Sequence, residues 1–407
     1  MRRALTIILA LLAVALSATN GRGFTSAAET ACGFAAHGQN ALEKRLFADA
    51  ADGRLDEFSP LGAALVAGGV DNADELRRYE EKAKALAEEL RRGLEGDSPI
   101  FADAKIGTVP GREQVEIVFD FMHRRVLRGG YDLAATDLRV VLDEGRFNCV
   151  SATVLFNFFG GELGLPCRGL EMPSHAMSRV LLPDGAIDVE TTCPRWFHLA
   201  GDPRQQTAAA SENDSRPLWC SRLGCQGRRD ACTTNSSAPH KAREVSPIQL
   251  AAMIYYNRGV DLLAEKRFAE AAAANAKSLR LDPNNLTARG NLLATINNWS
   301  IHLGDSGHFA EAVALLRQGL AIDRKFDPFA QNYLHVHHQW VEHLCREGRF
   351  EEAVDILSRA TAEMPDREYL RRAEADIQRR WARATDSTPQ DGPLLEWPCV
   401  QTTRPAN

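Results

Sequence analysis

The chain has 407 residues, of which 44% are hydrophobic and 25% are charged. This balance is typical of a globular protein with two or three domains, and it excludes a wholly disordered or fibrous one. The formal net charge of -6 provides no general basic field, so the composition argues against a nucleic-acid partner.

The N-terminus has the three parts of a secretory signal peptide. Two arginines follow Met1 and precede an apolar stretch from Ala4 to Ala18, after which small residues continue. This stretch of about 15 residues is shorter than the roughly 20 that a membrane-spanning helix needs. We therefore predict a signal peptide at residues 1–28 and an exported protein, either periplasmic or secreted. The alternative is an uncleaved signal that anchors the chain in a membrane.

The next segment, residues 29–109, is predicted to be an N-terminal helical region. Asp71–Arg92 has apolar residues at helical spacing among mixed charges, and Gly96–Pro99 interrupts the pattern. A second helix is predicted after Pro110-Gly111, where another apolar stripe begins. The members of this stripe are Val115, Val118, Phe119, Met122 and Val126.

Residues 110–200 form the predicted central domain, in which one helix is followed by several strands. Apolar residues from Val150 to Leu163 lie at helical spacing, and a Gly and a Pro then end the helix. Three segments rich in strand-forming residues follow, with a turn before the third. These predicted strands are Cys167–Met172, His175–Leu182 and Ala186–Thr192.

Several residues of this domain form a pattern typical of nucleophilic catalysis. Cys149 lies where a loop meets the first turn of the helix, and Asn148 suits the N-cap position. Unpaired N–H groups and the helix dipole there favour a thiolate and can stabilise an oxyanion. His175 begins a strand and can accept and return a proton. Asp188 on the next strand is the predicted orienting acid, and Glu190, on the same face, is the reserve.

These features resemble the transglutaminase-like superfamily, a branch of the papain-like folds. The matching elements are Asn148-Cys149, Gly164-Leu165-Pro166, His175 and Ile187-Asp188. The resemblance covers about residues 110–197 and implies an α+β domain with Cys149 as nucleophile, His175 as base and Asp188 as orienting acid. It also implies a peptide or amide substrate and requires neither a cofactor nor a metal. Met177 stands where the family often has an aromatic residue, so the family's substrate contacts are not carried over.

Strand geometry places a condition on this triad. If Asp184-Gly185 formed a tight two-residue turn, Leu181 would face Asp188, and His175 would lie six residues away along its strand. At about 3.3 Å per residue, that separation is roughly 20 Å, too far for a hydrogen bond. The triad therefore needs a wider loop, a different register or the reserve acid Glu190.

The nine cysteines are interpreted through the predicted export. In an oxidising compartment most should pair, and an odd number leaves at least one thiol without an intramolecular partner. Cys167 and Cys193 flank the strands and are interpreted as structural. Residues 201–246 are poor in large aliphatic residues and are predicted to be a linker or disordered insertion. For its cysteines and the nearby histidine, disulfides are favoured over zinc: Cys220, Cys225, Cys232 and His240.

The last third of the chain contains a repeat. Phe268, Phe309 and Phe350 are spaced by 41 residues, and each is followed three residues later by Ala. Over about residues 250–367 the pattern resembles the tetratricopeptide repeat, whose period is about 34, so the first helix of the later units should be longer. The first unit matches best, at Tyr255, Gly259, Phe268, Ala271 and Pro283.

This pattern predicts an all-α repeat domain at 247–385 and a C-terminal tail at 386–407. Stacked repeats provide a groove for a protein or peptide partner. One predicted helix carries a polar stripe that is interpreted as groove surface rather than as a metal site: His335, His338 and Glu342, with His337 and His343 nearby.

Together, these patterns predict an exported cysteine-dependent acyltransferase, peptidase or amidase with helical repeats for partner binding. One alternative is a non-catalytic scaffold in which the repeats bind proteins and the papain-like part has degenerated. Another is a structural envelope protein held together by its cysteines. A Cys149 that is inert, or locked in a disulfide, would favour these alternatives.

Overall fold

A computed structural model of the chain describes residues 27–94, 111–199, 242–364 and 368–385. The chain divides into two compact units, one comprising residues 35–289 and the other built mainly on residues from 290 onward. Residues 1–26 of the predicted signal lie outside the described ranges, so the signal and the export remain predictions. Within the described ranges, no helix has the length and apolar character needed to cross a membrane.

The N-terminal half is mostly helical and contains a small antiparallel sheet. Its described helices are α1 (Ala27–Ala36), α2 (Ala41–Asp49), α3 (Pro60–Gly68), α4 (Ala73–Arg92), α5 (Arg112–Phe121), α6 (Leu138–Glu144), α7 (Cys149–Glu162), α8 (Trp196–Leu199), α9 (Pro247–Ala264) and α10 (Phe268–Leu281). The five residues of the apolar stripe predicted after Pro110-Gly111 are all buried, which confirms that stripe. The helix that carries it continues beyond α5 as a π-helical turn at Met122–Val126.

Four strands form the antiparallel sheet: β3 (Cys167–Met172), β4 (His175–Leu182), β5 (Gly185–Val189) and β6 (Arg243–Val245). Their order is β5-β4-β3-β6. Two shorter strands, β1 (Gly130–Tyr131) and β2 (Arg146–Phe147), pair in parallel just before α7. The bounds of β3 and β4 are those predicted, whereas the third predicted strand ends at Val189 instead of Thr192.

The predicted linker at 201–246 needs correction at its C-terminal end. Residues 201–241 lie outside the described ranges, but Arg243–Val245 form β6, which pairs with β3. Val245 is buried, and a Cβ atom at Gly169 would come within 2.6 Å of its side chain. A glycine on β3 therefore allows this strand to pack closely, and ion pairs of Arg243 with Glu171 and Asp282 also hold it.

The compact unit at 35–289 extends beyond the predicted domain boundary at 247. Helix α9 packs against α10, α3 and α7, and its Tyr255 is fully buried. Glu43 on α2 accepts hydrogen bonds from Tyr255 Oη at 3.0 Å and from Lys277 Nζ at 2.8 Å. The first helical hairpin, which the repeat pattern assigns to the C-terminal domain, thus belongs to the unit that contains the sheet.

Helical repeats make up the C-terminal region. The helices are α11 (Leu286–Asp305), α12 (Phe309–Ile322), α13 (Asp327–Arg346), α14 (Phe350–Glu363) and α15 (Glu368–Thr385). Phe309 and Phe350 begin α12 and α14, each of 14 residues, whereas α11 and α13 each have 20 residues. The long first helices explain the period of 41 and confirm the predicted extension. At Gly319, the absence of a side chain admits the ring of Phe329, which a Cβ atom would approach to 2.7 Å.

Candidate active site

The predicted nucleophile lies at the start of a capped helix. Cys149 is the first residue of α7 and is 9% exposed. The Asn148 side chain accepts hydrogen bonds from the N–H groups of Val150 and Ser151, both at 3.0 Å, which confirms it as the N-cap. Its Nδ2 donates to Thr136 Oγ1 at 2.6 Å, so the cap is itself held by the preceding loop. This network fixes the backbone on both sides of the thiol.

The cap also reduces the number of backbone N–H groups in the first turn of α7 that can donate to an oxyanion. The amides of Val150 and Ser151 already donate to Asn148 Oδ1, and the amide of Ala152 donates to the Asn148 carbonyl at 3.0 Å. The Asn148 side chain does not bind the N–H of Cys149. Among these N–H groups in the first turn of α7, that of Cys149 is therefore the one still able to donate a hydrogen bond to a bound oxyanion.

His175 connects the thiol to a carboxylate. It is the first residue of β4, and its side chain is 11% exposed. Its Nε2 lies 2.6 Å from Glu190 Oε2, and Cys149 is close enough to influence the charge of the imidazole. Since Nε2 faces Glu190, Nδ1 is the ring nitrogen on the thiol side. Cys149, His175 and Glu190 thus form one buried cluster.

The partners of His175 determine its charge. Burial by itself lowers the pKa of His175, but the hydrogen bonds and negative charges of Cys149 and Glu190 raise that pKa to about 10. Burial likewise raises the pKa of Glu190, yet the His175 contact and hydrogen bonds from Thr192 bring it below its ordinary value. Opposite charges stabilise each other here more than burial penalises them. The arrangement favours an imidazolium ion beside a carboxylate.

Glu190 is held through both carboxylate oxygens. Oε2 faces His175, while Oε1 accepts hydrogen bonds from the Thr192 amide at 3.0 Å and from Thr192 Oγ1 at 2.6 Å. The next residue, Thr191, is buried, and its Oγ1 lies 3.4 Å from Thr153 Oγ1 on α7. The segment that carries the acid is therefore attached to the helix that carries the thiol.

The structure does not bring Asp188 to His175. In the β4–β5 ladder Leu182 pairs with Gly185, so Asp188 faces Arg179 and not Leu181. Arg179 lies four residues along β4 from His175, which corresponds to about 13 Å. Asp188 instead accepts hydrogen bonds from Arg179 Nε at 2.6 Å and Nη2 at 2.8 Å. The position predicted for the orienting acid is occupied by Glu190, just beyond the end of β5.

Two residues near the cluster of Cys149, His175 and Glu190 were not among the candidate site residues predicted from the sequence. His123, in the π-helical turn, packs against Phe119 in a tilted arrangement, with 4.5 Å between the ring centroids. Burial lowers the pKa of His123 to about 4, although the Thr191 backbone and nearby Asp120 and Glu190 oppose the shift. A histidine beside an apolar helical stripe gives no local signal of this contact.

The second neighbour is Tyr256 on α9. Its Oη lies 3.5 Å from Glu171 Oε1 on β3. Burial raises the pKa of Tyr256 well above its ordinary value, and the negative charges of Glu171 and Cys149 raise it further. Tyr256 is therefore within electrostatic range of the thiol, whereas the repeat pattern singles out only its neighbour Tyr255.

The described cysteines differ from the expectation that most would pair. Cys149, Cys167, Cys193 and Cys345 all carry free thiols. Burial raises the pKa of Cys167 to about 12, which suits the structural role predicted for it. Cys220, Cys225, Cys232 and His240 lie outside the described residues. In the part of the chain that the structure covers, no group of three or more His, Cys, Asp or Glu side chains could hold a metal ion.

The histidine stripe of the repeats forms pairwise contacts on α13. His338 Nε2 lies 3.0 Å from Glu342 Oε1, and His343 Nε2 lies 3.3 Å from Glu347 Oε1. His337 is buried, and its Nδ1 lies 2.7 Å from the carbonyl oxygen of Tyr333. Each of these contacts joins two residues that are four positions apart, a spacing that brings side chains together on one face of a helix.

The comparison with known protein families concerns the C-terminal region. Residues 305–377 match the tetratricopeptide repeat family. The match begins at the last residue of α11 and extends into α15, so it includes the second helix of the second predicted unit and both helices of the third. Repeats of this kind generally bind protein partners. Neither a curated protein nor a solved structure matches the chain.

Proposed function

We propose that the chain is a transglutaminase-like thiol enzyme that performs acyl transfer or hydrolysis on peptide or amide bonds. Cys149 is the nucleophile, His175 the base and acid, and Glu190 the orienting carboxylate. The observation that carries this proposal is the contact between His175 and Glu190 beside Cys149, with 2.6 Å between His175 Nε2 and Glu190 Oε2. A core helix that begins at the Cys, followed by antiparallel strands of which one begins with the His and another ends just before the acid, supports a papain-like arrangement.

The first half of the proposed reaction forms a thioester. The Cys149 sulfur attacks the substrate carbonyl carbon, and the carbonyl π electrons move to oxygen, where the Cys149 N–H stabilises the oxyanion. Collapse of this intermediate breaks the carbon–nitrogen bond. The departing amine takes its proton from His175 Nδ1, while Glu190 holds the imidazole in place through Nε2.

The second half releases the acyl group. Water or an amine attacks the thioester carbonyl, and the neutral imidazole of His175 accepts the proton that the nucleophile loses. The carbon–sulfur bond then breaks and regenerates the Cys149 thiolate beside the imidazolium ion. Water gives hydrolysis and an amine gives cross-linking, so the same residues serve both outcomes.

The repeats support the second part of the proposal, which is partner binding. The tetratricopeptide match at 305–377 supports a protein or peptide partner held by the helical repeats. The same match favours the second candidate function, a scaffold whose sheet-containing unit has no catalytic role. The two candidates differ in whether Cys149 is an activated thiol.

Thiol alkylation separates these candidates. The full chain is treated with iodoacetamide at about pH 6, and peptide mass spectrometry measures the rate at each cysteine. We expect Cys149 to react at least about 10-fold faster than Cys345, because an adjacent imidazolium ion stabilises a thiolate. Cys345 is the internal control, since it is half-buried and burial raises its pKa.

The His175→Gln variant completes this test. It should bring the Cys149 rate down to that of Cys345 if the imidazole activates the thiol. Equal rates at the two cysteines in the unaltered chain would overturn the catalytic proposal and leave the scaffold. A p-nitrophenyl acetate assay then tests the chemistry: release of p-nitrophenol with acetyl transfer to Cys149 is expected, and Cys149→Ser should abolish that thioester.

A further inference from the structure

The acid of the proposed triad lies in a short turn beyond the end of β5. β5 ends at Val189, and the Cys193 amide donates to the Glu190 carbonyl oxygen at 3.4 Å, which closes a four-residue turn. The chain then folds back on itself: the Trp196 amide donates to the Cys193 carbonyl at 2.9 Å, and Trp196 Nε1 donates to the Asp188 carbonyl at 3.2 Å. Contacts of this turn, and not the strand ladder, therefore hold the acid.

One residue of the turn contacts the acid side chain directly. Thr192 donates two hydrogen bonds to Glu190 Oε1, one from its amide at 3.0 Å and one from Oγ1 at 2.6 Å. The other carboxylate oxygen, Oε2, lies 2.6 Å from His175 Nε2. Thr192 thus occupies one oxygen of the carboxylate and leaves the other for the imidazole.

These two donors favour one charge state and one orientation of Glu190. Its side chain is only 4% exposed, so burial disfavours the negative charge. The oxygens of an ionised carboxylate only accept hydrogen bonds, and donors directed at them stabilise the charged form. Two hydrogen bonds to one oxygen also restrict the rotation of the carboxylate, which keeps Oε2 aligned with the imidazole.

We propose that Thr192 is a positioning residue that acts through Glu190 Oε1. It keeps the carboxylate ionised and directs Oε2 towards His175, so that the imidazole retains its proton beside Cys149. This inference rests on the proposed function. The hydroxyl is the part of Thr192 that defines this role, because any residue other than proline would provide the amide.

The titratable groups that bear on the charge of Glu190 come from three elements among the described residues. His175 on β4 is its partner, and Cys149 at the start of α7 influences the same imidazole. His123 in the π-helical turn is within electrostatic range of Glu190, but burial lowers its pKa to about 4. His123 is therefore neutral above pH 5, and a pH profile above this value reports on the other three groups.

Substitutions of Thr192 in the full chain test this inference. The rate of Cys149 alkylation by iodoacetamide is measured from about pH 5 to pH 9. Thr192→Val removes the hydroxyl and keeps the shape and the amide, so it should lower the rate at about pH 6 by about 10-fold, as expected for a lost hydrogen bond to a charged group. It should also shift the profile to higher pH, because a less stable imidazolium ion stabilises the thiolate less.

Two control variants accompany this substitution. Thr192→Ser retains the charge-assisted hydrogen bond and should stay within about threefold of the unaltered chain at every pH. Thr191→Val removes the neighbouring hydroxyl of the same turn, whose partner is the uncharged Thr153 Oγ1 at 3.4 Å. Its effect should also be less than about threefold, because hydrogen bonds between neutral groups are weaker. If Thr192→Val does not fold, Thr192→Ala, which also lacks the hydroxyl, replaces it.

A double substitution distinguishes positioning from a general structural role. Groups that act through one another have non-additive effects. Thr192→Val should therefore cause no further loss in a Glu190→Gln background, and both single variants should shift the pH profile in the same direction.

The outcomes also separate this inference from the proposed function. If Cys149 reacts no faster than Cys345 in the unaltered chain, the proposed function fails. If Cys149 is activated and Glu190→Gln slows it, but the variant without the Thr192 hydroxyl reacts as the unaltered chain does, only the role of Thr192 is overturned. Equal losses in Thr191→Val and Thr192→Val, or fully additive losses in the double variant, would likewise overturn it.

Discussion

The two regions of the molecule each bury a histidine, and the surroundings give these side chains opposite properties. His175, in the unit at 35–289, lies between a thiol and a carboxylate, and its pKa is raised to about 10. His337, in the repeats, lies between a backbone carbonyl and the ring of Tyr333, and burial lowers its pKa to about 4. Burial by itself lowers the pKa of both histidines, so the negatively charged partners of His175 account for its higher pKa. The same side chain thus suits acid–base chemistry in one region and packing in the other.

Ion pairs show a second contrast between the regions. In the sheet-containing unit, Glu43 and Lys277 are both buried, and Tyr255 donates a hydrogen bond to the same carboxylate. In the repeats, Glu363 pairs with Arg317 and accepts from Tyr333 at 2.6 Å, but about a third of each charged side chain is exposed. A buried charge that loses its partner is costly, whereas a solvated one is not.

The largest expected effect comes from breaking these two pairs. Lys277→Met should lower local stability by about 3–5 kcal/mol, because it leaves Glu43 buried with an uncompensated charge. Arg317→Met should cost about 1 kcal/mol or less, because water solvates Glu363. Hydrogen–deuterium exchange of the amides in α10 and α12 measures both. A cost at Arg317 equal to that at Lys277 would contradict the contrast.

The next effect concerns the choice of acid. Glu190→Gln should lower the rate of Cys149 acylation by p-nitrophenyl acetate about 10²-fold, since the orienting charge behind His175 is lost. Asp188→Asn is the matched control, because Asp188 pairs with Arg179, and it should change the rate less than threefold. A larger loss in the Asp188 variant would show that the acid predicted from the family resemblance is the one that acts.

The choice between Asp188 and Glu190 shows which part of the candidate site could not be predicted from the sequence. The order of Cys149, His175 and an acid could be predicted from motifs, and Asn148 could be predicted as a cap from local preference alone. The acid could not be chosen, because it depends on the strand register and on where β5 ends. Pro183-Asp184 form the two-residue connection, so Asp188 faces Arg179, while Glu190 leaves the ladder and reaches His175.

Long-range packing limited other predictions in the same way. The polar segment around Arg243–Val245 gave no strand signal, since β6 is held by packing over Gly169 and by ion pairs of Arg243 with residues far away in the sequence. Tyr256 acquires its contact with Glu171 only when α9 packs beside α7 and β3. The repeats were more predictable, because their spacing of 41 reflects local helix lengths.

A smaller effect should appear in the pH dependence of stability. The folded pKa of His175 is raised above 6.5, so its contribution is complete below about pH 6.5 and is lost as the pH rises towards 10. For His337 the folded pKa is lowered, so the unfolded state gains protons first and stability falls as the pH drops from 6.5 towards 4.

The variants His175→Gln and His337→Gln separate these contributions. Each should remove a pH-dependent term of about 1 kcal/mol or more, the first above and the second below pH 6.5. Hydrogen–deuterium exchange of β4 and α13 across this range provides the measurement. Slopes of the same sign at the two sites would show that the partners of His175 do not outweigh its burial.

The protonation state of His175 tests the central claim most directly. Nitrogen-15 NMR of histidine-labelled full-length protein, with His175→Gln for assignment, follows the ring nitrogens through a pH titration. We predict an imidazolium ion that persists at pH 8 and titrates near 10, and a lower pKa in both Cys149→Ala and Glu190→Gln. A His175 that is already neutral at pH 7 in the unaltered chain, with no response to either substitution, would contradict a linked thiol, imidazole and carboxylate.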